Sequence, residues 1–346
     1  MAHIRLALCS ADSSYITRLS SALSVRYPEE FEVHTFSTPE ALTAGVRQSR
    51  IHVALVDPEY QPGRLGLPES CAAAVLSEDR SVERIGGVKA VCRYQSVSDL
   101  RMAVLSLMAD VVGDVSYVGG DAETKVVTFV STGSIVTVPS AAFAKYAAAK
   151  GKRVLLVSLM QLTSTDAAFA YDTGYSFDDV LYTIKSGSAA AIGLKLEGCT
   201  AKCGGVELLV PSRNLMEMRD VSAADIETLI TGAVSAKRYD YIVLDCDFSY
   251  DARFQALATL SGKLVFASDG STAGNTRLAR LAKVLTVWEA VEDCGIDRKG
   301  CVLTAGPQIA AEAECGGMPS LGVIRTANAV DITDEMAASD VLAGLL

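Results

Sequence analysis

The chain is short of the residues that carry most acid–base chemistry. Its three histidines, His3, His34 and His52, all fall near the start, and no Gly-x-Ser-x-Gly turn occurs anywhere. A histidine-assisted hydrolase site in the larger part of the chain is therefore excluded. His34 and His52 lie in or beside strand-like runs and read as sheet-edge residues. The one tryptophan, Trp288, sits at helical spacing with Leu281, Leu285 and Val291, which predicts packing and not a ligand platform. There is no surplus of positive charge: 31 Lys and Arg face 41 Asp and Glu, for a net charge of −10. Neither residues 1–115 nor the remainder is basic, so nucleic acid and anionic membrane surfaces are excluded as main partners, and no basic recognition helix is present.

No uninterrupted apolar run reaches membrane-spanning length. The opening residues MAHIRLALCSADSS enter a strand pattern without a basic-then-apolar leader. The stretch Asp331–Leu346 is amphipathic but acidic on its polar side, unlike a surface-binding helix. The expectation is a cytoplasmic protein with no direct membrane insertion. Nine cysteines, an odd number scattered through apolar segments, suit a reducing compartment and not a disulfide framework. Cys199 and Cys203 lack the second pair a zinc site needs, so no metal is expected.

What is present is apolar material, 50% of 346 residues, enough for two cores of ordinary size. Strand-like runs at Ile4–Cys9, Glu32–Phe36, Val53–Val56, Ala73–Leu76 and Val88–Cys92 alternate with helical stretches at Ser13–Tyr27, Thr38–Gln48 and Val97–Asp110. Alternation of this kind predicts a parallel sheet of flavodoxin-like size. Gly113–Ala122, with its Gly119-Gly120 pair, reads as a linker. The pattern then restarts: strands at Lys125–Val130, Arg153–Leu159, Tyr241–Leu244, Leu264–Ala267, Cys301–Leu303 and Gly322–Ile324, with helices at Ser140–Lys150, Ser176–Ser186, Ser222–Ala236, Thr272–Val291 and Thr333–Leu345. The fold class is thus α/β, with two doubly wound parallel-sheet domains: a flavodoxin/receiver-like domain over 1–113, a linker over 114–122, and a P-loop NTPase-like domain over 123–346.

A phospho-accepting receiver needs an acidic pair after its first strand to hold Mg²⁺, an aspartate after the third, a hydroxyl after the fourth and a lysine after the fifth. Asp57 stands in the acceptor place, Ser77 in that of the hydroxyl, and Arg93 where lysine is expected. The acidic pair is missing, because the first strand ends Cys9-Ser10-Ala11 and Asp12 comes too late. Two readings stand: phosphorylation at Asp57, or a pseudo-receiver used for docking or dimerisation.

In the second domain a strand, the loop Ser131–Ser140 and a helix follow in the order of a P-loop. The chemistry departs from it. Gly133 is the loop's one glycine, branched residues fill Ile135, Val136 and Val138, and no lysine lies between Lys125 and Lys145. Candidate nucleotide contacts, if any, are Gly133, Ser134, Thr137, Ser140, Asp245, Asp247 and Asp269. Asp269-Gly270-Ser271 reads first as a helix-capping turn, ahead of a contact to the adenine base.

The strand Gly151–Val157 is similar to the second strand of ParA/MinD-type ATPases, ending in Ser158 where those end in a catalytic aspartate, and Tyr239–Asp245 resembles their apolar strand closing on a magnesium-shell aspartate. No catalytic residue set is complete. A receiver-like domain joined to such a domain resembles the TadZ/CpaE family of tight-adherence (Flp, type IVc) pilus assembly. Ser176–Ser186, Leu194–Cys199, Ser222–Leu229, Tyr239–Phe248 and Ser268–Ser271 carry the likeness. The glycine-poor loop departs even from this group, where many members keep several glycines. The resemblance implies a cytoplasmic homodimer placed at the cell pole, with the pilus secretion ATPase and its membrane platform as partners. Two functions follow: a non-enzymatic scaffold, or a slow, nucleotide-gated ATPase switch. Under the first no cofactor is expected; under the second it is ATP with Mg²⁺.

Overall fold

The computed structural model describes residues 4–28, 30–111, 124–133, 138–171, 175–186, 192–327 and 331–346. The predicted linker therefore lies outside the described residues. In chain order the elements are β1 (Ile4–Cys9), α1 (Ser13–Arg26), β2 (Phe31–Phe36), α2 (Pro39–Ser49), β3 (Val53–Val56), β4 (Ala72–Ser77), β5 (Arg84–Ile85), β6 (Val88–Cys92) and α3 (Val97–Val111). There follow β7 (Lys125–Ser131), α4 (Val138–Ala149), β8 (Val154–Ser158), α5 (Thr165–Ala168), α6 (Phe177–Lys185), α7 (Ile192–Cys199), β9 (Thr200–Cys203), β10 (Val206–Leu209), α8 (Leu215–Arg219) and α9 (Ala223–Ser235). The chain closes with β11 (Tyr241–Asp247), α10 (Ala252–Leu260), β12 (Lys263–Ser268), α11 (Thr272–Glu292), α12 (Ile296–Lys299), β13 (Gly300–Gly306), β14 (Ser320–Arg325) and α13 (Ile332–Ala337).

Packing divides these into two units. One is Met1–Val115 with Ala190–Gly198; the other is Ser116–Ala189 with Cys199–Leu346. In the first, the sheet order is β2-β1-β3-β4-β6-β5, parallel but for the β5–β6 pair. Successive residues of a strand face opposite sides. Ala7 and Cys9 of β1 accordingly pack with Leu42 and Val46 of α2, while the buried Leu6 and Leu8 face the other way. Asp12 caps α1 by accepting from the Tyr15 amide at 2.9 Å, and Thr38 caps α2 ahead of Pro39 in its first turn. Between β4 and β6, where a crossover helix would be usual, the chain makes a hairpin turning on Gly86 and Gly87, both at positive φ.

Helix α7 corrects the sequence-based boundary. Its sequence lies far into the second half, yet residues up to Gly198 pack in the first unit. A Cβ at Gly198 would stand 2.9 Å from the Ser106 amide nitrogen and 3.0 Å from the Met102 carbonyl oxygen, so only glycine lets this helix lie so close to α3. The buried Lys195 donates to Ser106 Oγ at 2.8 Å. Arg101 of α3 donates to both carboxylate oxygens of Glu30, at 2.6 and 3.1 Å, and to Glu197.

The second unit is an eight-stranded sheet in the order β14-β13-β12-β7-β11-β8-β10-β9, parallel except for the β9–β10 hairpin at one edge. Helix α4 is almost wholly buried, because Ala141, Ala142, Ala144 and Ala147 let its backbone approach the sheet while Phe143 fills the gap between Phe129 and Tyr241, 5.9 and 5.6 Å away between ring centroids. The predicted last helix is instead two pieces, α13 and a 3-10 turn over Asp340–Leu345 whose start is capped by Ser339. Trp288 packs as expected, its ring 5.3 Å from that of Phe254, but Val291 is exposed. Among the described residues no helix is long and apolar enough to cross a membrane.

Candidate functional site

Parallel strands place functional residues at their carboxyl ends, and in the first unit the ends of β1, β3, β4 and β6 bring together Asp57, Arg93 and the start of α1. The Asp57 amide donates to the Cys9 carbonyl at 3.0 Å, which sets the aspartate against the β1 loop. One carboxylate oxygen of Asp57 accepts from the Ala11 amide at 3.2 Å; the other accepts from Arg93 Nη2 at 2.6 Å. The pair is nearly dry, with side chains 7% and 13% exposed. Over it lies Tyr15, whose ring centroid is 4.8 Å from the guanidinium carbon and whose hydroxyl donates to the Arg93 carbonyl at 3.4 Å. Burial pushes the Tyr15 phenol up to about 12, so it stays a protonated donor. Burial, with help from the Asp57 charge, likewise lifts the Cys9 thiol to about 11, which removes it as a nucleophile.

The structure thus joins two of the three predicted receiver positions and leaves out the third. Ser77 Oγ is occupied by its neighbour, donating to the Asp79 carbonyl at 2.9 Å and accepting from the Asp79 amide at 3.1 Å. The Asp12 carboxylate is used as the cap of α1, accepting from the Tyr15 amide. Where a receiver would neutralise its acceptor with a metal ion, Arg93 neutralises Asp57 from within the chain. Sequence reasoning missed Tyr15, for which spacing offers no signal.

In the second unit, β7 lies between β11 and β12 and carries the phosphate-loop start at its carboxyl end. Register sets Asp245 beside Ser158 and Asp247 beside Ser131. Asp245 is buried and accepts from Ser158 Oγ at 3.2 Å. Asp247 is exposed, and partial desolvation pushes its carboxyl above the ordinary aspartate value. Gly133 adopts φ +83°, but its amide turns back to donate to Ser131 Oγ at 3.0 Å. Ser134 and Thr137 lie outside the described residues; Ser140 is fully buried in α4.

The flanking lysines are used elsewhere. Lys125 Nζ donates to the Leu346 carbonyl at 2.6 Å, and Lys145 pairs with Asp334 at 2.7 Å. Among the described residues a cation from far along the chain reaches the loop: Arg277 of α11, whose Nη1 lies 3.5 Å from the Thr132 carbonyl oxygen. Its distance along the chain hid it from any motif. Asp269 resolves as the turn: one carboxylate oxygen accepts from the Ser271 amide at 2.9 Å and from its hydroxyl at 2.7 Å, while Ser271 caps α11. Among the described residues the site does not fit a triphosphate with magnesium, since the Gly133 amide is spent on Ser131 and the neighbouring Lys125 and Lys145 are engaged with Leu346 and Asp334. Among the described residues no group of three or more His, Cys, Asp or Glu gathers as a metal site.

The model of the TadZ-like receiver domain family matches residues 2–109. The remainder has the ParA/MinD-type fold. A ParA family ATPase from Chlorobium tepidum TLS is 15% identical over 65% of this chain and 93% of its own, with a TM-score of 0.50. MinD from Aquifex aeolicus is 16% identical, covering 64% of this chain and 96% of its own, with a TM-score of 0.48. MinD from Pyrococcus horikoshii OT3, solved with Mg-ADP, is 16% identical over 64% of this chain and 98% of its own, with a TM-score of 0.44. No curated protein matches the chain significantly.

Proposed function

We propose that this chain, a TadZ-like receiver domain followed by a ParA/MinD-type domain, is a TadZ/CpaE-type protein that works as a non-enzymatic localisation and assembly scaffold for tight-adherence pilus secretion. Its expected setting is the cytoplasmic face of the pole, as a homodimer that gathers the secretion ATPase and the membrane platform. One observation carries the reading: both inherited ligand sites are spent on the chain itself. Arg93 neutralises Asp57, and the phosphate loop has no lysine while its one glycine amide is turned inward. Phosphoryl transfer needs positive charge placed against developing negative charge; Arg93 is already engaged with Asp57, and the loop has Arg277 of α11 beside Thr132 in place of the motif lysine.

A second reading, a nucleotide-gated switch, draws on the retained Asp245 at the end of the strand beside β7. Complementation separates the two. Cells lacking this chain are supplied with wild type or with Asp245→Asn, matched for protein level, and pilus output and the position of the secretion ATPase are scored. The scaffold reading predicts that Asp245→Asn restores both. Failure of that isosteric variant to the level of the deletion would favour the switch.

A further inference from the structure

His3, His34 and His52 are the chain's only histidines, so the second unit holds none. Histidine is the side chain whose ordinary pKa falls in the neutral range, which confines imidazole titration to the first unit. His34 lies on β2. His52 stands just ahead of β3, inside the sheet and not at its edge, because β3 runs between β1 and β4.

The backbone of His52 is tied on both sides. Its amide donates to the Arg5 carbonyl at 2.9 Å, and its carbonyl accepts from the Ala72 amide at 2.9 Å. The ring adds a further bond: the Arg5 amide donates to Nδ1 at 3.0 Å. A backbone amide can only donate, so Nδ1 carries a lone pair and the ring is the neutral tautomer with its proton on Nε2. Protonation would set N–H against N–H. The bond is then lost, and the Arg5 amide is left without its acceptor in a partly buried place.

The surroundings favour the neutral ring. Arg5 of β1 is the near cation; its Nε donates to Glu32 at 3.2 Å and its Nη1 to the Ser49 carbonyl, at the end of α2, at 3.0 Å. Helix α2 adds Arg47 in its last turn and Arg50 as its C-cap, both exposed. Glu32 of β2, two residues before His34, is the carboxylate that acts on the ring, and it is shared with Arg5. On the β4 side, burial lifts the Cys71 thiol to about 11, so it carries no charge. Burial first, and then the Arg5 charge, hold the His52 ring below its ordinary pKa against the pull of Glu32. The stability this bond contributes is therefore complete above the ordinary value of 6.5 and declines as pH falls from there through the lowered one.

We propose that His52 is an acid-sensitive pin of the first unit: its protonation releases the Arg5 amide and loosens the amino end of β1. At its other end β1 leads into the loop whose Ala11 amide holds Asp57, so the pin sits on the strand that supports that site. The proposal does not depend on the scaffold reading.

Histidine NMR and hydrogen exchange on the full chain, between about pH 7.5 and pH 5, test it. The expected result is a His52 ring that titrates below 6.5, with its proton on Nε2 above the midpoint. The protection factor of the Arg5 amide should fall at least about threefold as the ring titrates. His52→Asn places Oδ1 where Nδ1 stands and cannot titrate, so its Arg5 protection should stay flat over that range. His52→Leu offers no acceptor, and its Arg5 amide should be poorly protected at every pH. A wild-type ring that titrates at or above 6.5, or Arg5 protection that does not change through its midpoint, would overturn the pin whatever the variants do. So would a His52→Asn variant that keeps the wild-type pH dependence.

Discussion

Arg93→Ala should lower the stability of the first unit by about 3–5 kcal/mol, the usual cost of leaving one member of a buried ion pair without the other. Asp57 is 5% exposed and receives its shortest hydrogen bond, 2.6 Å, from this arginine. The Ala11 amide that remains cannot balance a full negative charge in that setting. The loss also strips the face of Tyr15. Adding Asp57→Asn to the arginine variant should recover most of the stability, because the charge that needed compensation is gone. Denaturant unfolding followed by hydrogen exchange of β1, β3 and α1 reads the effect in this unit, since the one tryptophan reports on the other. A loss under about 1 kcal/mol would mean that water or another group already neutralises Asp57, and the site would then be open to a ligand.

Arg101→Met should be comparably costly, again about 3–5 kcal/mol. Arg101 stands between Glu30 and Glu197, and both it and Glu197 are buried. Contact with these carboxylates overcomes burial and holds the guanidinium above its ordinary pKa in the wild type. Without it the buried Glu197 loses this counter-charge, while Glu30, whose side chain is 36% exposed, still meets water. The close approach of Gly198 to α3 leaves α7 no room to slide to a new partner. Exchange protection of α7 should therefore fall before that of the central strands. A loss under about 1 kcal/mol, with protection of α7 unchanged, would contradict this account of the cluster.

Most of the architecture was legible because its periodicity is local. Val53–Val56 and Tyr241–Leu244 are continuous apolar runs of the kind a parallel sheet buries on both faces, and both are strands. Ser176 and Ser222, each followed by an aspartate three residues on, open α6 and α9 as capping boxes. The two hairpins escaped, although Gly86-Gly87 and Gly204-Gly205 mark their turns, because strands as short as Arg84–Ile85 carry no period to detect. Helix α7 looked like part of the second domain because chain order suggests it; its docking on α3 depends on Gly198 and on ion partners nearly a hundred residues away. The same holds for the sites. Asp57, Arg93 and Asp245 could be placed at strand ends from the sequence. That Arg93 neutralises Asp57, that Arg277 reaches Thr132, and that the Gly133 amide turns inward are facts of three-dimensional approach.

The most direct measurement is a titration of the purified full chain with Mg-ATP, following thermal unfolding and phosphate release together. A ligand that binds the native state raises the melting temperature in a saturable way. This account predicts no such rise up to millimolar Mg-ATP and no phosphate release above the background of buffer. A saturable rise accompanied by turnover that Asp245→Asn abolishes would contradict it.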